Sequence, residues 1–203
     1  MSLQSQYRSL VGYVDNYSAL LETLKDDEFQ LNPAEGVWSY SEVYSHVFQA
    51  NLGSLIAAEK CINGTAERDS SRIHWLAGLI LFIGLFPPGK IKAPARIAAM
   101  VKKISKEEAR NLIVKFRSRL ELIAPEISKA AADRKVRHPR LGLLNAAQWF
   151  RFMQIHTRHH ERQLDRIRVK LRHHDNAVRG TGTSETTVNN ETAGPGSAGK
   201  ISG

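Results

Sequence analysis

The stretch 149-WFRFMQIHTRHHERQLDRI-167 decides how this chain folds, because one set of its residues recurs at helical spacing. The set follows steps of four, three, four, three and four residues, which is the period of one helical face. It consists of Trp149, Met153, His156, His160, Gln163 and Ile167. We expect a long helix that starts near Asn145 and Gln148, ends near Leu171, and turns this face toward a core.

Two histidines occupy positions on this face where a core helix normally carries leucines. A buried imidazole without a hydrogen-bond or metal partner costs roughly 1–3 kcal/mol, so His156 and His160 need a partner. The spacing His-x-x-x-His places both side chains on adjacent turns, about 5–6 Å apart at Cβ. Both rings could therefore bind one small cation, and this pair is our first candidate for a metal site.

A third histidine lies on the apolar face of an earlier helix. Ser39 and Glu42 have the spacing of a capping box, which predicts a helix from there to about Asn63. His46 shares its face with Tyr40, Val43, Val47 and Ala50. We take His46 as the third ligand, because three imidazoles and an open position match a catalytic zinc site, and imidazole also suits nickel or iron.

Two further segments have the same helical period. The first runs from about Gln4 to Leu24, and the other follows a second capping box at Ser105 and Glu108 and reaches about Ile127. The segment from Asp26 to Trp38 interrupts the pattern, and no segment shows clear strand alternation. Four amphipathic helices predict an all-α four-helix bundle over residues 1–172.

An apolar and basic insertion, residues 73–103, separates the second and third of these helices. Ile73 to Phe86 is strongly apolar but shorter than the roughly 20 residues that span a bilayer, so we expect a buried or partly interfacial segment. Basic residues follow without an acid: Lys90, Lys92, Arg96, Lys102 and Lys103. They could attract anionic lipid or an acidic substrate, but a solvated surface is favoured, and membrane association is not expected.

The remaining composition sets the broad class. Residues 173–203 are rich in Gly, Ser, Thr, Asn and Pro and predict a disordered tail. From Arg172 onward three basic residues match three acidic ones, so the net charge of +9 lies on the folded part. The lone Cys61 excludes an intramolecular disulfide and a multi-cysteine zinc cluster. Since the N-terminus does not resemble a signal peptide, a cytoplasmic location is expected.

Two polar residues near the predicted ligands each have two interpretations. Glu42 could act as a general base or as an acceptor for His46, but its place in the capping box favours the cap. Gln163 could orient a ligand or a water, or it could hydrogen-bond a neighbouring helix, and the pattern does not separate these roles.

For the remaining histidines and tryptophans near these motifs, the sequence favours structural roles. His159 is rotated about 100° from His160 and is expected to face outward, although it is the first alternative ligand. His138 precedes Pro139 and reads as a turn residue more than as a cover for the bundle's open end. Packing is favoured for Trp38 and Trp149.

These motifs together resemble a known family. Trp38-Ser39-Tyr40-Ser41-Glu42 followed by His46, with His156-Thr-Arg-His-His160-Glu-Arg-Gln163-Leu164 near the end, resembles the DinB/YfiT superfamily of metal-dependent enzymes. The segment His138-Pro-Arg-Leu-Gly142 ahead of Trp149 is similar to a subgroup of unknown function. The resemblance extends from about Leu3 to Leu171.

The resemblance implies a four-helix bundle of two antiparallel pairs that frequently dimerises. It also implies a divalent metal, zinc or nickel, held by His46, His156 and His160. Members with known activities use the metal to activate a low-molecular-weight thiol for transfer or isomerisation, or a water for hydrolysis. We therefore expect a homodimer that acts on a small molecule, and the basic surface would suit an anionic thiol.

Competing functions remain open at this point. The metal could be structural, with the protein acting as a binding or stress-response module. Nucleic-acid binding ranks last, because no recognition helix or basic-aromatic platform is evident. A di-iron carboxylate bundle is excluded, since it needs Glu-x-x-His pairs, whereas Glu42 and His46 are four residues apart.

Overall fold

A computed structural model describes residues 1–87 and 101–181. Four long helices and two short ones form most of it: α1 (Leu3–Thr23), α2 (Asp26–Gln30), α3 (Tyr40–Ile62), α4 (Trp75–Ile83), α5 (Lys106–Ile123) and α6 (Ala146–Thr181). A 3₁₀ helix, Ala124–Lys129, extends α5, and three short strands are β1 (Glu67–Arg68), β2 (Arg134–His138) and β3 (Gly142–Leu144). The long helices α1, α3, α5 and α6 form the predicted four-helix bundle.

Both predicted capping boxes are present. At Ser39 the hydroxyl accepts from the Glu42 backbone N–H, and the Glu42 carboxylate accepts from the Ser39 backbone N–H at 2.8 Å. Ser105 and Glu108 make the same reciprocal pair at the start of α5. These two hydrogen bonds satisfy backbone donors that the first helical turn leaves free, which is why α3 and α5 begin where the sequence predicts.

Two pairs of bundle helices run antiparallel. Between α1 and α5, Glu22 pairs with Arg110 at 2.7 Å and Asp15 pairs with Arg117, so one helix ascends as the other descends. Between α3 and α6, Asn51 donates to the Thr157 hydroxyl at 2.8 Å, and the His46 and His160 rings lie 4.8 Å apart. The two antiparallel pairs implied by the family resemblance are therefore α1 with α5 and α3 with α6.

The neighbours α3 and α5 run parallel. Ser41 near the start of α3 lies against Ile104, just before α5, and Glu59 near the end of α3 pairs with Arg119. Parallel neighbours cannot be joined by a short turn, because the chain must return along the whole bundle. Residues 63–105 thus connect α3 to α5, and the predicted insertion lies within this connection.

An aromatic cluster fills the centre of the bundle. The buried rings of Tyr17, Tyr44 and Phe48 pack edge to face, with centroids 5.2 Å and 5.4 Å from Tyr17. Tyr44 donates its hydroxyl to the Tyr17 carbonyl at 2.7 Å, and Tyr17 donates to the Thr157 carbonyl at 3.3 Å. Each buried hydroxyl is therefore satisfied while its ring fills the core.

Several details differ from the prediction. The expected loop after α1 contains the short helix α2, and three short strands form an antiparallel sheet in the order β1, β2, β3. These strands have two, five and three residues, too short for alternation to be visible. Helix α6 also continues ten residues past Leu171 to Thr181, while the rest of the predicted tail, 182–203, lies outside the described residues.

Residues 73–86, which the sequence predicts to be buried or partly interfacial, are not fully buried. Helix α4 forms there, but only Ala77 and Ile80 on it are buried. The basic residues Lys90, Lys92 and Arg96 lie outside the described residues. Within the described ranges, 1–87 and 101–181, none of the helices is both long and apolar enough to cross a membrane.

Candidate metal centre

Three histidines meet between α3 and α6. The ligand nitrogens of His46, His156 and His160 all lie within 4.8 Å of one another, and their ring centroids are 4.6–5.1 Å apart. His156 and His160 are 6% and 8% exposed, and His46 is half-buried. The structure thus brings together the three residues that the sequence predicts as ligands.

Helix geometry explains this meeting. His156 and His160 are one turn apart on the buried face of α6, and α6 is antiparallel to α3. His46, in the second turn of α3, lies opposite them, with its Nε2 atom 3.1 Å from Nε2 of His156. Two helices therefore hold three rings without any contribution from a loop.

Asn51 fixes the orientation of His156. Nδ1 of His156 lies 3.4 Å from the side-chain oxygen of Asn51, and the side-chain NH₂ of Asn51 donates to the Thr157 hydroxyl at 2.8 Å. Thr157 in turn donates to the Met153 carbonyl at 2.8 Å. This buried chain directs the Asn51 oxygen toward the ring, so Nδ1 of His156 is the protonated nitrogen and Nε2 carries the lone pair.

Gln163 has the same relation to His160. The side-chain oxygen of Gln163 lies 2.7 Å from Nδ1 of His160 and accepts the ring N–H. Gln163 is one turn further along α6. Of the two roles left open by the sequence, the structure therefore supports the orientation of a predicted ligand. Metal-binding histidines commonly donate their other ring N–H to such an acceptor, which sets the tautomer and the direction of the ring.

The residues present fit a bound cation. With Nδ1 of both His156 and His160 donating outward, their Nε2 lone pairs point inward. Bonds of about 2.0–2.1 Å from a tetrahedral zinc would place its ligand nitrogens roughly 3.3 Å apart. The 3.1 Å separation between His46 and His156 is close to that value. A cation between the rings would offset the repulsion of converging lone pairs.

Burial keeps these rings neutral. Desolvation lowers the pKa of His46 to about 4, and the nearby His159 adds to this effect. Desolvation, followed by repulsion from neighbouring histidines, also holds the pKa values of His156 and His160 well below their usual range. Neutral imidazole is the form that binds metal, so no proton competes for the site near neutral pH.

Aromatic rings enclose the site. Trp38 lies over His46 and His160, with centroid distances of 5.2 Å and 6.4 Å, and Phe152 stacks on His156 at 5.3 Å. These rings form apolar walls that limit water around the three histidines. Trp38 therefore packs, as predicted, but it packs against the candidate ligands.

The other residues considered near the predicted ligands have mainly structural roles. Glu42 accepts from Ser39 and from the Asn32 side chain at 2.7 Å, which confirms the favoured capping role. His159 is exposed and faces Phe86 at 5.2 Å, outside the three-histidine group. Cys61 is buried at the far end of α3, near the Leu144 carbonyl.

His138 combines the predicted turn role with packing next to the site. Its Nδ1 accepts backbone N–H groups from Arg140 and Leu141, both at 3.1 Å, and this fixes the turn between β2 and β3. Its ring packs on Phe152 at 4.4 Å, one ring away from His156. Burial lowers the pKa of His138 to about 4, so this ring is neutral too.

Asn51 is the residue that sequence reasoning missed. It continues the buried face of α3 from Val47 through Ser54 and Ala58, at steps of four, three and four. A polar side chain at such a position was a visible signal, because a buried amide needs partners. Asparagine is not itself a usual metal ligand, so ligand chemistry alone does not single it out.

A separate cleft of about 880 Å³ lies beside this centre. Residues 31–38, Glu42 and Leu171 line it, so it shares Trp38 with the site but includes none of the three histidines. Trp38 therefore forms the boundary between the cleft and the histidine group.

Comparison with known proteins gives one family match. The DinB superfamily model matches residues 13–164, a range that includes all three histidines together with Asn51 and Gln163. Among curated proteins, no relative matches this chain.

Solved structures show the same fold. The chain is similar to the mycothiol-dependent maleylpyruvate isomerase, with 16% identity and a TM-score of 0.54 over 81% of this chain and 61% of that one. It is also similar to YfiT from Bacillus subtilis, described as a probable metal-dependent hydrolase with an unusual four-helix bundle topology, with 13% identity, a TM-score of 0.50, and 84% and 90% coverage. The four-helix bundle protein TT2238 matches with 18% identity and a TM-score of 0.45, over 81% and 98%.

Proposed function

This chain belongs to the DinB superfamily, and from that premise we propose that it is an enzyme that holds one divalent cation, zinc or nickel, at His46, His156 and His160. We propose further that it activates water or a low-molecular-weight thiol against a small-molecule substrate. The observation that carries this proposal is the convergence of three neutral imidazoles within 4.8 Å.

The chemistry follows from what the residues provide. A bound divalent cation with an open position supplies Lewis acidity, which lowers the pKa of a water or thiol nucleophile. Asn51 and Gln163 hold the tautomers of His156 and His160, so their lone pairs stay directed inward. Trp38 and Phe152 limit solvent and lower the local dielectric, which strengthens electrostatic effects on a reacting group.

The two solved relatives support the two nucleophiles. One is named as a mycothiol-dependent isomerase and the other is described as a probable metal-dependent hydrolase, on the same fold. The three ligands in this chain would serve either reaction, because both need one Lewis acid in a partly dry pocket. The chain spans 61% of the length of the isomerase.

Metal content of tag-free protein tests the proposal. We expect near one equivalent of metal in the wild type and little in His156→Ala. The matched control is His159→Ala, which removes an exposed histidine next to the site and should leave metal content unchanged. Equal metal in all three proteins would contradict the ligand assignment.

Chelation separates catalysis from a structural role. If the metal is catalytic, the metal-free protein stays folded, and turnover in a screen of hydrolysis and thiol transfer returns only when zinc or nickel is restored. A chelated protein that unfolds, together with no metal-dependent turnover in the loaded form, would instead support a structural metal in a binding module.

A further inference from the structure

The outer face of α4 consists of large apolar side chains. These are Trp75, Leu76, Leu79, Phe82 and Ile83, and at 100° per residue they occupy an arc of about 120°. Phe82 is 86% exposed and Trp75 is 72% exposed. The opposite face carries the buried residues Ala77 and Ile80, so the helix is apolar on all sides although only one side packs against the part of the protein that the structure describes.

Helix α4 is held firmly against α6. The Arg151 side chain donates to the Leu81 carbonyl at 2.9 Å, near the end of α4. Phe86, just after the helix, packs on Phe152 at 6.3 Å and on His159 at 5.2 Å. The apolar face is therefore a fixed part of the molecular surface, and contiguous exposed apolar surface of this kind marks interaction sites.

A row of basic residues continues along α6 from that point. Arg158, Arg162, Arg166 and Lys170 follow one another at four-residue steps, and the last three are exposed. In the part of the chain that the structure describes, none of the four has an ion-pair partner. Like charges at this spacing destabilise a helix by a few tenths of a kcal/mol per pair, so the row gains from an external anion.

The apolar face and the basic row adjoin. Phe86 contacts His159, and Arg162 is one turn beyond His159 on α6. The sequence around α4 adds no negative charge, because no acidic residue lies between Asp69 and Glu107. The partner should therefore be both apolar and anionic.

We propose that the outer face of α4 and the Arg162–Lys170 row form a docking surface for a membrane that contains anionic phospholipids. Apolar side chains of α4 enter the boundary between headgroups and acyl chains, and the basic row contacts lipid phosphates. Membrane association is not expected from the sequence, because residues 73–86 are too short to span a bilayer and a solvated surface is favoured for the basic residues that follow them. Docking of α4 and the α6 row at a membrane surface requires neither a spanning segment nor those basic residues.

Charge argues against a second copy of the chain as the partner. In a two-fold contact the same patch on each copy meets itself, so basic rows beside the apolar face would approach one another. Without an anion between them, this repulsion opposes the apolar contact. A membrane with anionic headgroups supplies both kinds of complementarity at once.

Vesicle flotation with the full chain tests the proposal. We expect binding to vesicles of phosphatidylcholine and phosphatidylglycerol, weaker binding to phosphatidylcholine alone, and a decrease in binding with added salt. Phe82→Ser should weaken binding by roughly tenfold, since it removes an inserted ring. Arg162→Gln and Arg166→Gln should each weaken it by roughly fivefold, which corresponds to about 1 kcal/mol per charge.

Matched controls lie on α5, whereas α4 packs against α6. Leu122→Ser removes an exposed apolar side chain there, and Lys115→Gln removes an exposed positive charge. Both should leave vesicle binding unchanged. All variants change exposed residues, so unchanged melting temperatures would show that each is folded.

Three outcomes would overturn the proposal. Binding lost equally in the α5 controls would mean that vesicle binding does not depend on this surface. A dimer in solution that Phe82→Ser dissociates, without vesicle binding, would assign the apolar face to a second copy. Affinity for duplex DNA that depends on Arg162 and Arg166 but not on Phe82, again without vesicle binding, would assign the row to nucleic acid.

Discussion

His156 and His160 are polar side chains inside the bundle, whereas Phe82 and Ile83 are apolar side chains on its surface. Both regions depend on α6: its core face carries the two histidines, and another of its faces packs against α4. The buried histidines have hydrogen-bond partners for Nδ1, and the exposed α4 side chains have solvent. Buried histidines and exposed apolar side chains are both unusual, and each indicates a binding partner. Only the histidines also have protein hydrogen bonds that hold them in place.

Acid should destabilise the metal-free protein, and this is the largest effect that we expect from the buried histidines. Burial lowers the pKa of His46 and His138 to about 4, from 6.5. The unfolded chain therefore binds protons that the folded chain excludes, and stability should fall as pH decreases from about 6.5 to about 4. The loss should approach about 3 kcal/mol for each histidine, measured by urea unfolding.

His138→Asn gives the control for that titration. An asparagine oxygen can still accept the backbone N–H groups of the turn, but it does not titrate. The variant should lose less stability than the wild type between about pH 6.5 and about pH 4. Identical pH profiles would show that His138 is not held neutral by the fold.

Removal of the amide partner of His156 should have the next largest effect. Asn51→Leu leaves the Nδ1–H of His156 without its acceptor, and we expect metal affinity to fall by roughly 10–100-fold. Competition with a chromophoric chelator measures this. Asn51→Asp restores an acceptor and should recover most of the affinity, whereas equal losses in both variants would indicate disturbed packing instead of lost orientation.

A smaller effect is expected at Gln163, which is only half-buried. Gln163→Leu removes the acceptor for His160, but water can reach the ring more easily there, so we expect about a tenfold loss of metal affinity. The same competition assay applies, with Gln163→Glu as the variant that keeps an acceptor. No loss in the leucine variant would contradict the orienting role.

The smallest effect should be that of the apolar face on stability. Phe82→Ser should change the free energy of unfolding by no more than about 0.5 kcal/mol, because the ring contributes little to the core. Ile80→Ala, on the buried side of the same helix, should cost roughly 2–4 kcal/mol. Similar values for the two variants would show that the outer face is covered in solution.

The same contrast explains how far the sequence could be interpreted. The period of α6 predicted its buried face, and the two histidines on that face followed directly from it. His46 could be added because its own helix has the same period. A pattern within one helix reports which side is buried, and this was sufficient for the bundle and for all three candidate ligands.

What could not be predicted depends on how helices meet. The composition of α4 favours burial, and only the tertiary arrangement leaves Phe82 outside. The partnership of Asn51 with His156 joins α3 to α6, and the parallel course of α3 and α5 is set by the connection between them. Local periodicity contains no information on these long-range relations.

The distance along the chain between the predicted ligands has a consequence for folding. His46 and His156 are 110 residues apart in sequence, and α6 is the last of the described helices to be synthesised. The binding pocket therefore forms only after α6 has packed against α3, and contacts of this separation form slowly. A cation bound there would close a loop of that length, as a cross-link does, so metal retention would report that α3 and α6 have assembled correctly.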